Sequence, residues 1–309
     1  MRHVDDALVD ELIDPPQAQD ALLEAFRSFG AGRASMQERV RTESGDVKLS
    51  TLGAVMPDQG IAGAKVYTTI NGQFRFVILL FSAHDGRPLA SFDAMAITRL
   101  RTAATSVIAS RYLARPGATT LALFGAGVQG RAHAMQMARA FALQEIRVCD
   151  PFAAPTLAAD LERACGVSVR TCAAGEALEG SDIVVTASRA RTALFSGDLL
   201  PTGVFVAAIG SSLPQTRELD DRALARASLV AVDWSQQALK EAGDLVLADP
   251  STLANGKLVQ LSDLVSGAAA GRRNDDDITI FKSVGVGLQD VALAGLVWQR
   301  LCEREGSRP

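Results

Sequence analysis

The sequence predicts an α/β protein in two parts, an α+β unit over residues 1–115 and, from residue 116 on, a doubly wound parallel-sheet unit. Three observations carry that reading. A charge-free apolar run at 121–124 breaks into Gly125-Ala126-Gly127-Val128-Gln129-Gly130, continues with helical character to Leu143 and reaches a second apolar run at 146–149. Strand, glycine turn, helix and strand thus follow one another in the order a parallel βαβ unit needs. Downstream, short apolar runs alternate with helical or loop segments, as strands joined by crossovers require. Upstream, alternating apolar and polar residues are interrupted by Asn-Gly and Asp-Gly pairs, the signature of antiparallel hairpins.

Taken in order, Ala18, Ala21, Leu22, Ala25, Phe26 and Phe29 recur at three- and four-residue steps behind Pro15 and Pro16, an amphipathic helix that Gly30 and Gly32 stop. Strand-like alternation follows over 36–42 and 47–56, joined by Ser44-Gly45-Asp46, and then over 63–70, 74–81 and 88–92, with Asn71-Gly72 and Asp85-Gly86 as turns. Residues 94–113 read as a helix that Arg115-Pro116-Gly117 ends, and that break is the expected domain boundary. The first unit is therefore expected to be helix plus antiparallel sheet. Beyond the glycine turn, 167–171, 182–187, 203–210, 229–233 and 277–283 are strand candidates, 266–271 is a loop, and 286–304 is a long closing helix.

Composition bounds the function. With 309 residues, 48% hydrophobic, 21% charged and a net charge of −4, the chain is that of a folded two-domain protein. No basic block is present, so nucleic acid is not an expected partner. Cys149, Cys165, Cys172 and Cys302 form no C-x-x-C pair and read as reduced core residues in a cytoplasmic protein, without zinc, disulfide or other metal site. The acidic N-terminus lacks a secretory apolar segment, and the longest charge-free apolar run, 76–83, is too short to span a bilayer.

The glycine turn has a chemistry of its own. Gly125 permits a tight turn, Gly127 removes a side chain where backbone would meet a pyrophosphate, and Gly130 lets the helix approach the strand. The unpaired N–H groups of the helix start, with Val128 and Gln129 in its first turn, would hold an anion. Asp150 stands 20 residues past Gly130 at the end of the second strand, where a carboxylate accepts hydrogen bonds from an adenosine ribose and repels a 2′-phosphate. The reading is a Rossmann unit for NAD, with NADP as the alternative. A nicotinamide supplies hydride, so the other unit should hold and protonate a substrate. Lys65, among small and apolar neighbours, is either a polar residue on a solvated sheet face or a desolvated amine able to act as acid, base or carboxylate anchor. Arg41 and Arg101 are carboxylate-binding candidates, because a guanidinium offers a planar fork; each is otherwise a surface arginine. His84 reads as a turn residue and His133 as a helix-surface residue, neither a base.

Several separated motifs then carry a resemblance. Residues 98–106 (TRLRTAATS), the glycine turn preceded by Ala114-Arg115-Pro116, Gly210-Ser211-Ser212-Leu213-Pro214 followed by Arg217-Glu218-Leu219, and Gly271-Arg272-Arg273-Asn274-Asp275-Asp276 leading to Phe281-Lys282-Ser283-Val284-Gly285 resemble the ornithine cyclodeaminase and mu-crystallin family over nearly the whole chain. The resemblance implies a homodimer paired through the first unit, to which the last helix returns, so that the units become 1–115 with 285–309 and 116–284, with NAD(P) on the second. It implies that Lys65 stands near nicotinamide and substrate, that Arg41 and Arg101 clamp the substrate carboxylate, Ser212 lies in the substrate-binding motif, and Ser283-Val284 runs along the nicotinamide. Where cyclodeaminases of the family carry an aspartate and a glutamate, this chain has Ser212 and Ala54. A second, cationic amine on the substrate then lacks a counter-ion. The pattern is closer to the branch of alanine dehydrogenase and ketimine or pyrroline-carboxylate reductases, whose substrates are small α-amino or α-imino acids. The alternatives are a cyclodeaminase that turns ornithine into proline and ammonia with bound NAD, and a non-catalytic nucleotide-binding protein like mu-crystallin.

Overall fold

The computed structural model describes residues 1–254 and 256–307 and divides into two compact units, Met1–Ala104 with Gly285–Pro309, and Thr105–Val284. The last two residues of the expected 285–309 segment lie outside the described residues. In the first unit, β1 (Arg2–Val4) leads through α1 (Asp6–Leu12) to α2 (Pro15–Gly30). Asp14 starts α2 as a capping box: its carboxylate accepts from Gln17 N at 2.9 Å, while Gln17 Oε1 accepts from Asp14 N at 3.0 Å. Strands β2 (Ser35–Met36), β3 (Val40–Ser44), β4 (Val47–Met56), β5 (Ile61–Ile70), β6 (Gln73–Ser82) and β7 (Pro88–Asp93) follow, and helix α3 (Met95–Leu113) carries the chain into the second unit. The sheet runs β1-β7-β6-β5-β4-β2, with β3 also on β4. Asn71 and Gly72 both take positive φ, 50° and 72°, in the β5–β6 hairpin turn, which Asn-Gly accommodates at least cost.

Two expectations are corrected here. The sheet is not purely antiparallel, because β1 lies parallel to β7, His3 opposite Ser91; a three-residue strand is too short for an alternating pattern to reveal. The expected strand over 36–42 is two strands, since the chain leaves the ladder between Met36 and Val40, where Arg39 Nη2 reaches the Gly285 carbonyl at 2.8 Å.

One face of this sheet buries Leu52, Met56, Ile61, Ile78 and Leu80 beneath the C-terminal helix (Gly287–Glu305), which also packs on α2. At 25 cal/mol per Å² of apolar surface, each such side chain stabilises the unit by about 2 kcal/mol. The helix start comes so close to β4 that a Cβ on Gly287 would stand 2.4 Å from the Gly53 carbonyl oxygen. On the opposite face Val40, Val47, Leu49, Val55 and Val77 are each more than two-fifths exposed.

The second unit holds eight parallel strands: β8 (Thr120–Phe124), β9 (Glu145–Cys149), β10 (Ser168–Thr171), β11 (Ile183–Thr186), β12 (Phe205–Ala208), β13 (Leu229–Val232), β14 (Leu258–Gln260) and β15 (Thr279–Lys282), in the order β10-β9-β8-β11-β12-β15-β13-β14. Strands β11, β12 and β15 are buried along their whole length, which is why they read as continuous apolar runs. The strand order turns back beside β8, and ligands of such sheets bind at that point, beyond the carboxyl ends of the strands. The units divide inside α3, eleven residues before the Arg115-Pro116-Gly117 break. The helix runs unbroken through the division, so punctuation by Pro and Gly marks only where it ends. Among the described residues, no helix is long and apolar enough to cross a membrane.

Candidate active site

Helix α4 (Val128–Ala140) begins directly behind the glycine turn, with Gly127 at its N-cap and no side-chain cap on its first N–H groups. Gly125 adopts φ 86°, and a Cβ there would lie 2.8 Å from the Ala187 carbonyl oxygen. A Cβ on Gly130 would fall 2.0 Å from the Gly125 carbonyl, whereas one on Gly127 would meet nothing within 4 Å. The first and last glycines thus close the turn, and the middle one leaves open space over the helix start. Val128 is exposed at that opening. Asp150 is held at the end of β9, its Oδ2 accepting from Ala126 N at 2.8 Å and its Oδ1 from Phe152 N at 2.9 Å. An uncapped helix start, an open glycine and a fixed carboxylate are what a dinucleotide's pyrophosphate and ribose require.

His133 is not on the helix surface, contrary to the sequence reading: it is fully buried. Its Nδ1 lies 2.8 Å from the Gln129 carbonyl, which can only accept, and its Nε2 lies 2.9 Å from Ser106 Oγ. A helix lying on a sheet covered on both faces hides more than one stripe, so a polar residue in it can be interior.

The carboxyl ends of the central strands are tied by residues the sequence reading gave no role. Glu218 is fully buried and accepts four hydrogen bonds: from Thr186 Oγ1 at 2.8 Å and from Ser188 N, Ser188 Oγ and Gly210 N, each at 2.7 Å. Its own backbone N–H donates at 2.7 Å to Asp244, which pairs with Lys282 at 2.7 Å. Burial works against the Asp244 charge, yet Lys282 and two backbone N–H donors keep its carboxyl below the ordinary range. Ser283 Oγ donates to Asp233 at 2.8 Å, and Ser283 and Val284 are both buried. Ser212 is half-buried in the loop after β12.

In the first unit, Lys65 is 2% exposed and is the desolvated amine of the two readings above. Its Nζ donates to Thr98 Oγ1 at 2.7 Å and to Asp290 Oδ1 at 3.1 Å, and stands 4.4 Å from the centre of the Phe76 ring. Arg101 Nε donates to the same Asp290 oxygen at 3.2 Å, and its Nη1 to Gln289 Oε1 at 2.9 Å. Burial brings the Lys65 pKa down to about 8; Asp290 opposes the fall, while Arg101 and Arg39 add to it. Burial pushes the Asp290 carboxyl up, but the nearby cations, Lys65 first, outweigh it and hold the group below its usual value. Lys65, Arg101 and Arg39 against Asp290 leave the cluster with two surplus positive charges, which favours a carboxylate ligand. Gly285, at φ 75°, closes the cluster, since a Cβ there would lie 2.7 Å from Arg101 Nη1.

The structure brings Lys65 and Arg101 together. Arg41 stands on β3 opposite Ser50, two residues from the arginine whose charge acts on Lys65, which is Arg39. Asp290 and Gln289 went unnoticed, although Asp290 is the one charged residue between Lys282 and Arg300, a signal in plain view.

The family model described as "Ornithine cyclodeaminase/mu-crystallin family" matches residues 1–305. A delta(1)-pyrroline-2-carboxylate reductase from Bacillus cereus is 35% identical over 258 residues, 81% of this chain and 76% of that protein. A solved structure of a probable ornithine cyclodeaminase from Bordetella pertussis superposes with a TM-score of 0.98 at 57% identity, covering 100% of this chain and 99% of that one. An archaeal alanine dehydrogenase dimer with bound NAD superposes with a TM-score of 0.91 at 28% identity, covering 100% and 98%.

Proposed function

We propose that this chain, which belongs to the ornithine cyclodeaminase/mu-crystallin family, is an NAD-dependent oxidoreductase acting at the α-carbon of a small α-amino or α-imino acid. The observation that carries the reading is a buried lysine whose pKa is drawn to about 8 in a cluster with surplus positive charge. Such a group is charged enough at neutral pH to give up a proton and weak enough as a base to part with it. Arg101 binds the substrate carboxylate with Arg41 or Arg39, and Lys65 delivers the proton to the imine nitrogen. When bound, NADH supplies the hydride that reaches the α-carbon. Gly125, Gly127, Val128, Gln129 and Gly130 hold its pyrophosphate, Asp150 its ribose, and the segment of Ser283 and Val284 its nicotinamide end, with Ser212 on the substrate side.

Incubating the protein with NADH, ammonium and a panel of 2-oxo acids or cyclic imines should oxidise NADH. The Bordetella likeness favours a second reading, the cyclodeaminase, against which stand Ala54 and Ser212. Proline formed from ornithine, with no imine reduced, would establish that second reading in place of the first. A Michaelis constant about tenfold or more lower for NADH than for NADPH is expected from the charge of Asp150, about 1.4 kcal/mol per tenfold; the opposite order would remove Asp150 from the ribose.

The exposed apolar face of the first unit's sheet is the surface through which we take two copies to pair. Light scattering on the doubly substituted Val55→Glu, Val77→Glu chain should give a monomer mass where the parent gives a dimer, and an unchanged dimer would move the interface elsewhere. Four free cysteines suit a reducing, cytoplasmic setting.

A further inference from the structure

The sheet face beneath the C-terminal helix does not end at Lys65. One row nearer the Asn71-Gly72 turn, Arg41, Ser50, Tyr67 and Phe76 stand opposite one another across β3, β4, β5 and β6, and one row further Thr69 stands opposite Phe74. Directly opposed residues share a face. Lys65, two residues before Tyr67 on β5, shares that face too. The three rings form one cluster, with Tyr67 and Phe76 centroids 5.0 Å apart, Phe74 and Phe76 stacked at 5.6 Å, and Tyr67 and Phe74 at 6.1 Å. Tyr67 and Phe76 are half-buried and Phe74 is 43% exposed. An aromatic wall thus starts at the Lys65 ammonium and runs outward.

We propose that this wall receives the substrate's side chain, and that the side chain is uncharged, apolar and larger than methyl: an aliphatic, cyclic or aromatic α-imino or α-oxo acid. The inference rests on the reading of Lys65 as proton donor to the substrate. Half-exposed rings lose water when an apolar group covers them, which is the term that favours binding there. A cationic side chain gains little. The Phe76 ring already faces the Lys65 ammonium, Asp290 is shared between Lys65 and Arg101, and Glu43, next on this face past Arg41, is paired with Lys48 at 2.8 Å. A carboxylate side chain would meet the negative faces of the rings.

The test is kcat/KM for NADH-dependent reductive amination of 2-oxo acids with methyl, isobutyl, benzyl, carboxymethyl and guanidinopropyl side chains. Isobutyl or benzyl should exceed methyl by about tenfold or more, with the two charged side chains below methyl. Phe74→Ala, which truncates an exposed ring without opening the core, should cut the benzyl-to-methyl ratio by about tenfold, and Tyr67→Ala should do the same. A charged side chain matching isobutyl, or variants that lower every substrate by one common factor, would overturn the inference alone. No NADH oxidation with any of these 2-oxo acids or with a cyclic imine would overturn the oxidoreductase reading and this inference with it.

Discussion

Lys65→Met is expected to lower the turnover of imine reduction by about 100- to 10,000-fold, the contribution of a positioned general acid, while leaving NADH affinity nearly unchanged. Methionine keeps the apolar stem beside Phe76 and removes the ammonium, so the loss reports the proton and not the packing. Folding should not suffer. Below about pH 8 the folded chain holds a charged lysine that burial disfavours; between there and its ordinary pKa the unfolded chain binds more protons, so stability rises with pH through that window. The same pKa sets the activity profile. Reduction needs protonated Lys65, so kcat should be level below about 8 and fall above it. The charge of Asp290 raises the Lys65 pKa. Asp290→Asn therefore removes a support and should move the falling limb to lower pH. Measured pH–rate profiles decide the matter: a limb in the same place in both proteins, or a methionine variant keeping a tenth of the parent's turnover, would remove Lys65 from the proton's path.

How much of this was legible beforehand depends on whether the signal is local. The glycine turn with Asp150 could be read because all its parts lie within one βαβ unit, where spacing and chemistry fix each other. Lys65 could be suspected, since a lone amine among Ala, Gly and Val is unusual, but its surroundings could not, because Asp290 is 225 residues away. The closing helix could be placed at 286–304; which side of it meets β5 is decided by tertiary packing. Arg39, whose charge acts on Lys65, lies where the chain leaves the ladder between Met36 and Val40, and such an interruption leaves no composition signal. Glu218 was visible only as part of a motif. That a glutamate is worth burying follows from where the ends of β11 and β12 lie, and those are set by strand order in the sheet.

Glu218→Gln is expected to cost about 3–5 kcal/mol of stability and to weaken NADH binding, even though the shape of the side chain is kept. The carboxylate takes four donors, two of them backbone N–H groups at Ser188 and Gly210. An amide replaces one acceptor oxygen by an NH₂, so at least one donor pair would face another donor in a site without solvent. Each buried group left unsatisfied costs about 1–3 kcal/mol, more where it had bonded a charge, and breaking a buried charge network costs about 3–5. Gly210 offers no room for adjustment, since a Cβ there would lie 2.3 Å from Glu218 Oε1. The residues that shift are the first ones beyond β11 and β12, at the carboxyl edge where a dinucleotide would lie, so lost stability and lost affinity should appear together. Denaturant midpoints and NADH titration of the same variant measure both. A variant within about 1 kcal/mol of the parent would mean that the site relaxes around the amide or admits water, and an unchanged NADH affinity in a destabilised variant would confine Glu218 to folding.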